Sequence, residues 1–358
     1  VPLRARVRPL LLPATLLAVF ACSHSASFQD PDETNQGPFS PSLPAQLTYN
    51  PGPDVTPVFL PGDSLLLYSY RRAGALTENQ CIGALPVAGG TTISESCPRS
   101  AASLDSTERY ENPVPLDDSL IVLVQSSRRK GNGADAVTLL GTAPWRAADH
   151  LVPRLEFPFP SASGVFEISA SYLSLLGGGE LAYLAMVDVS ACPGTLSFCD
   201  GPSLIRIGRE AAQLNLQGSG DPIILAGTDY ATSVATGRTP GSILLTLPFD
   251  SRVYERQPGG STVTLFDFGE GTYVRDPVLV GGTLVAIVGG EASRWTSSDG
   301  VALQVDDGGD IALVNLASGA VQLINGSYKR PALSADGHVL IAELITGEFG
   351  NLYRIDLQ

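Results

Sequence analysis

Pro331-Ala332-Leu333-Ser334-Ala335-Asp336-Gly337 leads into His338-Val339-Leu340-Ile341-Ala342-Glu343-Leu344-Ile345. A short connection later comes Gly350-Asn351-Leu352-Tyr353-Arg354-Ile355-Asp356-Leu357. Two apolar runs separated by Asp-Gly read as a hairpin, because both turn residues tolerate the backbone that a tight reversal needs. The third run alternates apolar and polar residues, the period of a strand with two different faces. The phrase is strand, turn, strand, loop, strand.

The same phrase opens at Pro57-Val58-Phe59-Leu60-Pro61-Gly62-Asp63, at Pro113-Val114-Pro115-Leu116-Asp117-Asp118 and at Pro277-Val278-Leu279-Val280-Gly281-Gly282. Pro57 and Pro113, and again Pro277 and Pro331, are about 55 residues apart, a period typical of repeat architectures. The interval from Pro113 to Pro277 has room for two further openings. Tyr172-Leu173-Ser174-Leu175-Leu176-Gly177 and Ala235-Thr236-Gly237-Arg238-Thr239-Pro240-Gly241 fill it, without the leading proline. Second hairpins, such as Ala84 to Ile93 around Gly89-Gly90 and Ala312 to Leu323 around Gly319, complete the units. Two hairpins make a four-stranded sheet that cannot bury both faces alone, whereas sheets stacked around an axis can.

The expected fold is therefore all-β: a single β-propeller of six four-stranded blades. The last unit stops after its third strand, and Ala45-Gln46-Leu47-Thr48-Tyr49 is expected to supply the fourth, closing the ring and removing a sheet edge. A pair of β-sandwiches is the competing architecture. Composition agrees with either, since 38 Gly and 27 Pro suit many short strands joined by turns.

The phrase resembles the repeat of TolB-type propellers. Leu47-Thr48 and Pro57-Val58-Phe59 carry its opening, and Ser334-Ala335-Asp336-Gly337 with Leu352-Tyr353-Arg354-Ile355-Asp356 carry its close. The resemblance covers residues 45–358, best in the first and last units, and implies fold more than function.

Ahead of the repeats, Arg4, Arg6 and Arg8 precede an apolar run from Leu10 to Phe20, followed by Ala21-Cys22. A basic stretch, an apolar stretch and a small residue at the cut describe a secretory signal. The apolar run is too short to cross a hydrocarbon core of about 30 Å as a helix. Leu17-Ala18-Val19-Phe20-Ala21-Cys22 resembles a bacterial lipoprotein signal, with Phe20 bulkier than the pattern. The resemblance implies lipid attachment to the Cys22 thiol, cleavage before it and acylation of the new amino group; several chains anchor where one is marginal. Ser23 stands where Asp would favour the inner membrane, so the expected location is a lipid-anchored place in the cell envelope, leaning to the outer membrane. Residues 1–21 are read as signal peptide, 22–44 as lipidated cysteine and flexible tether, and 45–358 as propeller. The tether is too polar to offset its ordering entropy.

The formal charge of −14 becomes about −17 once the three arginines leave with the signal. Such a surface repels phosphate backbones, so nucleic acid is not an expected partner. Besides Cys22, an exported chain with Cys81, Cys97, Cys192 and Cys199 suggests disulfides. Three pairings are open, of which the local one, Cys81–Cys97 and Cys192–Cys199, closes one short loop each. No Cys-x-x-Cys occurs and only His150 and His338 fall in the folded part, so no metal or cofactor is expected.

No Gly-x-Ser-x-Gly elbow is present, and Gly177-Gly178-Gly179 lacks the Gly-Lys-Ser/Thr end of a phosphate loop. The acidic groups Asp117-Asp118, Glu108 with Glu111, and Asp306-Asp307 with Asp310 read as solvated turns. Trp145 and Trp295 are read as packing residues before binding hot spots. Connections longer than a hairpin needs run over 71–80, 128–135 and 289–309, and long loops on a rigid scaffold tend to carry recognition. In a propeller such loops share one face, which makes Arg71, Arg72, Arg128, Arg129, Arg294 and Trp295 the candidate binding residues. The expected function is a non-enzymatic, monomeric interaction module for an envelope protein or small ligand. The alternative is a glycan-active hydrolase or lyase working through channel carboxylates.

Overall fold

The computed structural model describes residues 39–357 apart from 51, 72–78, 99–105, 130–136, 158, 161–165, 189–206, 219, 226–227, 229–230, 290–293, 297–301, 305–307 and 347–348. Cys22, Arg72, Cys192, Cys199 and Asp306-Asp307 lie outside the described residues, as does the tether up to Pro38. The fold is all-β, and among the described residues the one helical turn is Ala148–His150.

Strands follow one another antiparallel in repeated units. The first is Asp54–Phe59, Leu65–Arg71, Gln80–Pro86 and Ser94–Ser96. The second is Ser106–Pro115, Leu120–Arg129, Val137–Pro144 and Val152–Phe157, joined to the first by one parallel pair, Gln80 with Arg109. The third is Phe166–Gly177, Glu180–Asp188, Ile207–Asn215 and Ile223–Ile224. The fourth is Ser233–Thr236, Ile243–Thr246, Arg252–Arg256 and Thr262–Asp267. The fifth is Tyr273–Val280, Thr283–Gly289, Gly309–Asn315 and the first part of the long strand Ala320–Leu333. The rest of that strand pairs with Val339–Ile345, which pairs with Gly350–Asp356. Ala45–Gln46 then adds to the outer side of Gly350–Asp356, opposite Arg354 and Tyr353. Both openings without a leading proline form hairpins, Gly177 pairing with Glu180 and Thr236 with Ile243.

The second strands explain how these units pack. Their side chains alternate between two faces, and both faces are buried, so the strands read as unbroken apolar runs. Ile121 and Leu123 pack with Leu67 and Ile82 of the first unit, while Val122 and Val124 pack with Leu181 and Tyr183 of the third. Ala182 and Leu184 meet Ile243 and Leu245 of the fourth unit. Leu244 meets Leu284 and Ala286 of the fifth, and Val285 and Ile287 meet Leu340 and Ala342 of the last. Ile341 and Leu352 of the last unit, with Leu47, pack against Leu66, Tyr68 and Leu85 of the first. Each core thus lies between consecutive units, and one of them joins the last to the first.

Cys81 and Cys97 form a disulfide across a separation of 16 residues. Trp145 is packing, 3% exposed among Leu67, Leu123 and Ala148, with its indole N–H donated to the Asp118 carbonyl at 2.9 Å. Asp117 does turn work, accepting the backbone N–H groups of Ser119 and Leu120 at 2.8 Å. Those bonds hold its carboxyl below the usual range. The connection over 289–309 is not all loop: Arg294–Thr296 pairs with Ala302–Gln304.

Candidate functional site

The first strand of every unit borders one cavity of about 500 Å³. Its wall is mostly apolar, with Pro57, Pro113, Leu173, Val234, Pro277 and Pro331 contributed in turn by the successive units. A volume of this size suits a small organic ligand.

One end of the cavity has an unusual backbone. Thr56, Asn112, Tyr172, Asp276 and Arg330 have φ of 53°, 52°, 52°, 50° and 46°. Each sits where strand register slips, between Val55 and Val58, Glu111 and Val114, Ser171 and Ser174, Arg275 and Val278, and Lys329 and Ala332. Two residues stand opposite one, which defines a β-bulge, and bulges re-aim the side chain they carry. The proline that follows four of these residues loses nothing there, because the ladder needs no donor at that step. The fourth unit differs: Ser233–Thr236 pairs without a slip. Its hydroxyls bond to one another instead, Thr232 Oγ1 lying 2.8 Å from Thr246 Oγ1.

A left-handed residue other than glycine costs about 1–2 kcal/mol, with Asn and Asp the most tolerant and β-branched Thr among the least. The chain uses glycine at positive φ in its turns, for example Gly62, Gly281 and Gly337, yet at none of these five bulges. The five side chains are therefore kept against a backbone penalty.

These side chains form a collar. Asp276, 4% exposed, has its N–H bonded to Ser233 Oγ at 3.1 Å, and its Oδ2 accepts the Arg330 N–H at 3.0 Å. It thereby links the fourth, fifth and last units. The Arg330 guanidinium lies over the Tyr172 ring at 5.7 Å, a cation–π distance. Thr56 Oγ1 donates to Ser69 Oγ at 3.2 Å. At the turn end of the strands Asp63 Oδ2 accepts the Ala335 N–H at 2.7 Å, tying the first unit to the last.

The sequence candidates distribute as follows. Arg71 ends its strand beside Pro53, whose carbonyl accepts its N–H, and its guanidinium lies 5.0 Å from the Phe349 ring. That is the collar end of the first unit. Arg128 and Arg129 pair with Thr107 and Ser106 at the start of the second unit's first strand, again the collar end. Arg294 and Trp295 belong to the inserted hairpin. His150 faces solvent near Asp149, and His338 lies beside the Leu357 carbonyl, neither at the cavity. The collar itself was not among the sequence candidates. Its signal was the residue before each opening proline, which reading the prolines as strand starts passes over.

No family model matches the chain, and no curated protein does. Solved structures do resemble it. A candidate TolB from Agrobacterium tumefaciens aligns with TM-score 0.50 at 11% identity, over 86% of this chain and 91% of that one. Trypanosoma rangeli sialidase aligns with TM-score 0.50 at 13% identity over 85% of this chain, which spans 55% of the sialidase. Phage phi92 endosialidase aligns with TM-score 0.50 at 9% identity, over 90% of this chain and 69% of its own. At such identities the likeness shows the fold, a β-propeller architecture with a TolB-like protein among its neighbours, and not an activity.

Proposed function

We propose that the chain is a lipid-anchored envelope protein whose six blades close into one ring and bind a ligand in the collared cavity, without catalysing its conversion. Closure is supported by the Ala45–Gln46 pairing and by the core shared between the last unit and the first. Anchoring through Cys22, with Ser23 directing the chain toward the outer membrane, is supported by the signal-like residues 1–22.

The observation that carries binding over glycan cleavage is the placement of the cavity's carboxylates. Asp276 stands at the collar and Asp63 at the opposite turn end, and each already accepts a backbone N–H from a neighbouring unit. Cleavage by paired carboxylates needs two acids flanking one bond, about 5–10 Å apart. An apolar wall below a ring of hydrogen-bonding groups is the usual form of a small-molecule site.

Two experiments test this reading. Replacing Ala332, a wall residue, by tryptophan is expected to abolish binding of the uncharged dye Nile red to the full chain, followed by its fluorescence. Undiminished binding would place the dye elsewhere and remove the support for the cavity. In a bacterial host, Cys22→Ser is expected to stop incorporation of labelled fatty acid and to move the protein from the detergent phase to the aqueous phase. A variant that stays acylated would end the anchor proposal.

A further inference from the structure

We infer that the cavity takes an uncharged, largely hydrocarbon molecule bearing one hydroxyl or carboxamide group, its polar group on the Asn112 amide and its body against the proline-lined wall. The inference rests on the reading of this cavity as a binding site and names the chemical class it takes.

The starting point is how the polar residues of the lining are used. Thr56 Oγ1 donates to Ser69 Oγ on the neighbouring strand at 3.2 Å. Ser174 Oγ lies 2.7 Å from Thr236 Oγ1, which donates to the Leu175 carbonyl at 2.7 Å, joining the third unit to the fourth. Asp63 accepts the Ala335 N–H, Asp276 accepts the Arg330 N–H, and the Arg330 guanidinium lies over the Tyr172 ring. These groups are committed to holding strands and units together. Asn112 differs. It lines the cavity half-buried, and its amide has no hydrogen-bond partner among the described residues.

That division selects by charge. The collar carries one anion and one cation in adjacent units, Asp276 and Arg330, each already with partners in the protein. An ionised head group would lose its hydration there without gaining a counter-ion of its own, a cost that a neutral group escapes. An amide is itself neutral and offers both donors and an acceptor, which matches a hydroxyl or a second amide. Beside it the wall is apolar, through Pro57, Val114, Leu173, Pro277 and Pro331, so the rest of the occupant is hydrocarbon. At the packing density of a protein interior, a volume of about 500 Å³ holds roughly twenty carbon atoms, the size of a long-chain or polycyclic alcohol.

The test follows displacement of Nile red from the full chain by 1-decanol, decanoate, decylammonium and 1-chlorodecane at neutral pH, where the acid and the amine are both ionised. Decanol is expected to bind at least about tenfold more tightly than either ion. Asn112→Gly is expected to weaken decanol about fivefold, the size of one neutral hydrogen bond, and to leave 1-chlorodecane, which has no hydroxyl, unchanged. Asn112→Asp keeps the shape of the side chain and its tolerance of a φ of 52°, and is expected to move the preference to decylammonium. Glycine takes that φ without strain, so the melting temperature of Asn112→Gly is expected to stay close to the parent's. A collapse of that temperature would assign the amide to the fold and overturn the inference. Equal binding of decanol and either ion, or a decanol affinity that survives Asn112→Gly, would overturn it as well. Failure of Nile red and all four amphiphiles to bind would instead refute the cavity as a site, a result distinct from binding without the expected preferences.

Discussion

Leu47→Ala is expected to cost about 2–5 kcal/mol of folding stability, the range for emptying a buried leucine site. Leu47 follows a strand of only two residues and is 7% exposed. It packs with Ile341 and Leu352 of the last unit and with Leu66, Tyr68, Leu85 and Val87 of the first. Its N–H bonds to the Leu352 carbonyl at 2.8 Å, and Thr48 Oγ1 accepts the Leu352 N–H at 2.9 Å. These contacts lie on the seam where the proposed ring shuts, so the loss should have a location as well as a size. Amide exchange should rise in Gly350–Asp356 and Leu65–Arg71, and stay unchanged in Ser233–Thr236 and Ile243–Thr246, whose buried residues belong to other cores. Leu43→Ala, at a residue 70% exposed, is the matched control and should stay within about 0.5 kcal/mol of the parent. A Leu47→Ala loss no larger than the control's would mean that this segment docks on the last unit without holding the ring together.

The parts of this architecture that could be read in the sequence are those fixed by local backbone chemistry. Asp336-Gly337 reads as a turn because Gly337 must take positive φ, 76°, and because Asp336 can accept the N–H two residues on, that of His338 at 2.9 Å. Gly62-Asp63 and Gly281-Gly282 work in the same way, with φ of 85° and 52°, and of 58° at Gly281. The apolar second strands give themselves away by lacking alternation, since both of their faces are covered. The Cys81–Cys97 bond follows from the short separation of its partners.

What stayed hidden depends on residues far apart in the chain. The cavity takes a few atoms from each unit, so no window of sequence contains it. Arg330 and Tyr172 look like ordinary strand residues, because neither type favours positive φ and only the pairing register reveals the bulge. Trp145 is chemically suited either to a core or to an exposed contact, and its placement is decided by a carbonyl at Asp118. Arg71 reads as the start of a long connection, and its neighbour there, Phe349, comes from the last unit, far along the chain.

Asp54 is the least legible residue of all, and its replacement by asparagine is expected to stabilise the protein at neutral pH by about 1–3 kcal/mol. In Asp54-Val55-Thr56-Pro57 it reads as a polar strand start, but it is 0% exposed where the chain passes from the seam into the first unit. Burial pushes its carboxyl up to about 6, against the opposing hydrogen bonds of the Asn50 and Thr48 side chains and the Asn50 backbone. Asn50 Nδ2 reaches Oδ1 at 2.6 Å, and the Tyr68 hydroxyl, bonded to Thr92, is also pushed up, first by burial and then in part by the Asp54 charge. A carboxyl that titrates near 6 when folded and at 3.8 when unfolded holds its proton more firmly in the folded state. Its contribution is therefore greatest below about pH 4 and is lost as pH rises through 6, a change of about 3 kcal/mol at most. The opposite slope comes from Glu255, where burial is outweighed by the Arg238 and Ser242 hydrogen bonds and the carboxyl stays below its usual range. Stability from that group is lost only as pH falls below about 4.5, so the two effects occupy different windows. Denaturant unfolding of the parent should thus weaken between about pH 4.5 and 6.5, and Asp54→Asn should remove that slope while keeping the Asn50 bond through its amide oxygen. Parallel curves for the two proteins across this window would show that Asp54 is ionised at little cost, and that its burial is compensated by more than the hydrogen bonds named here.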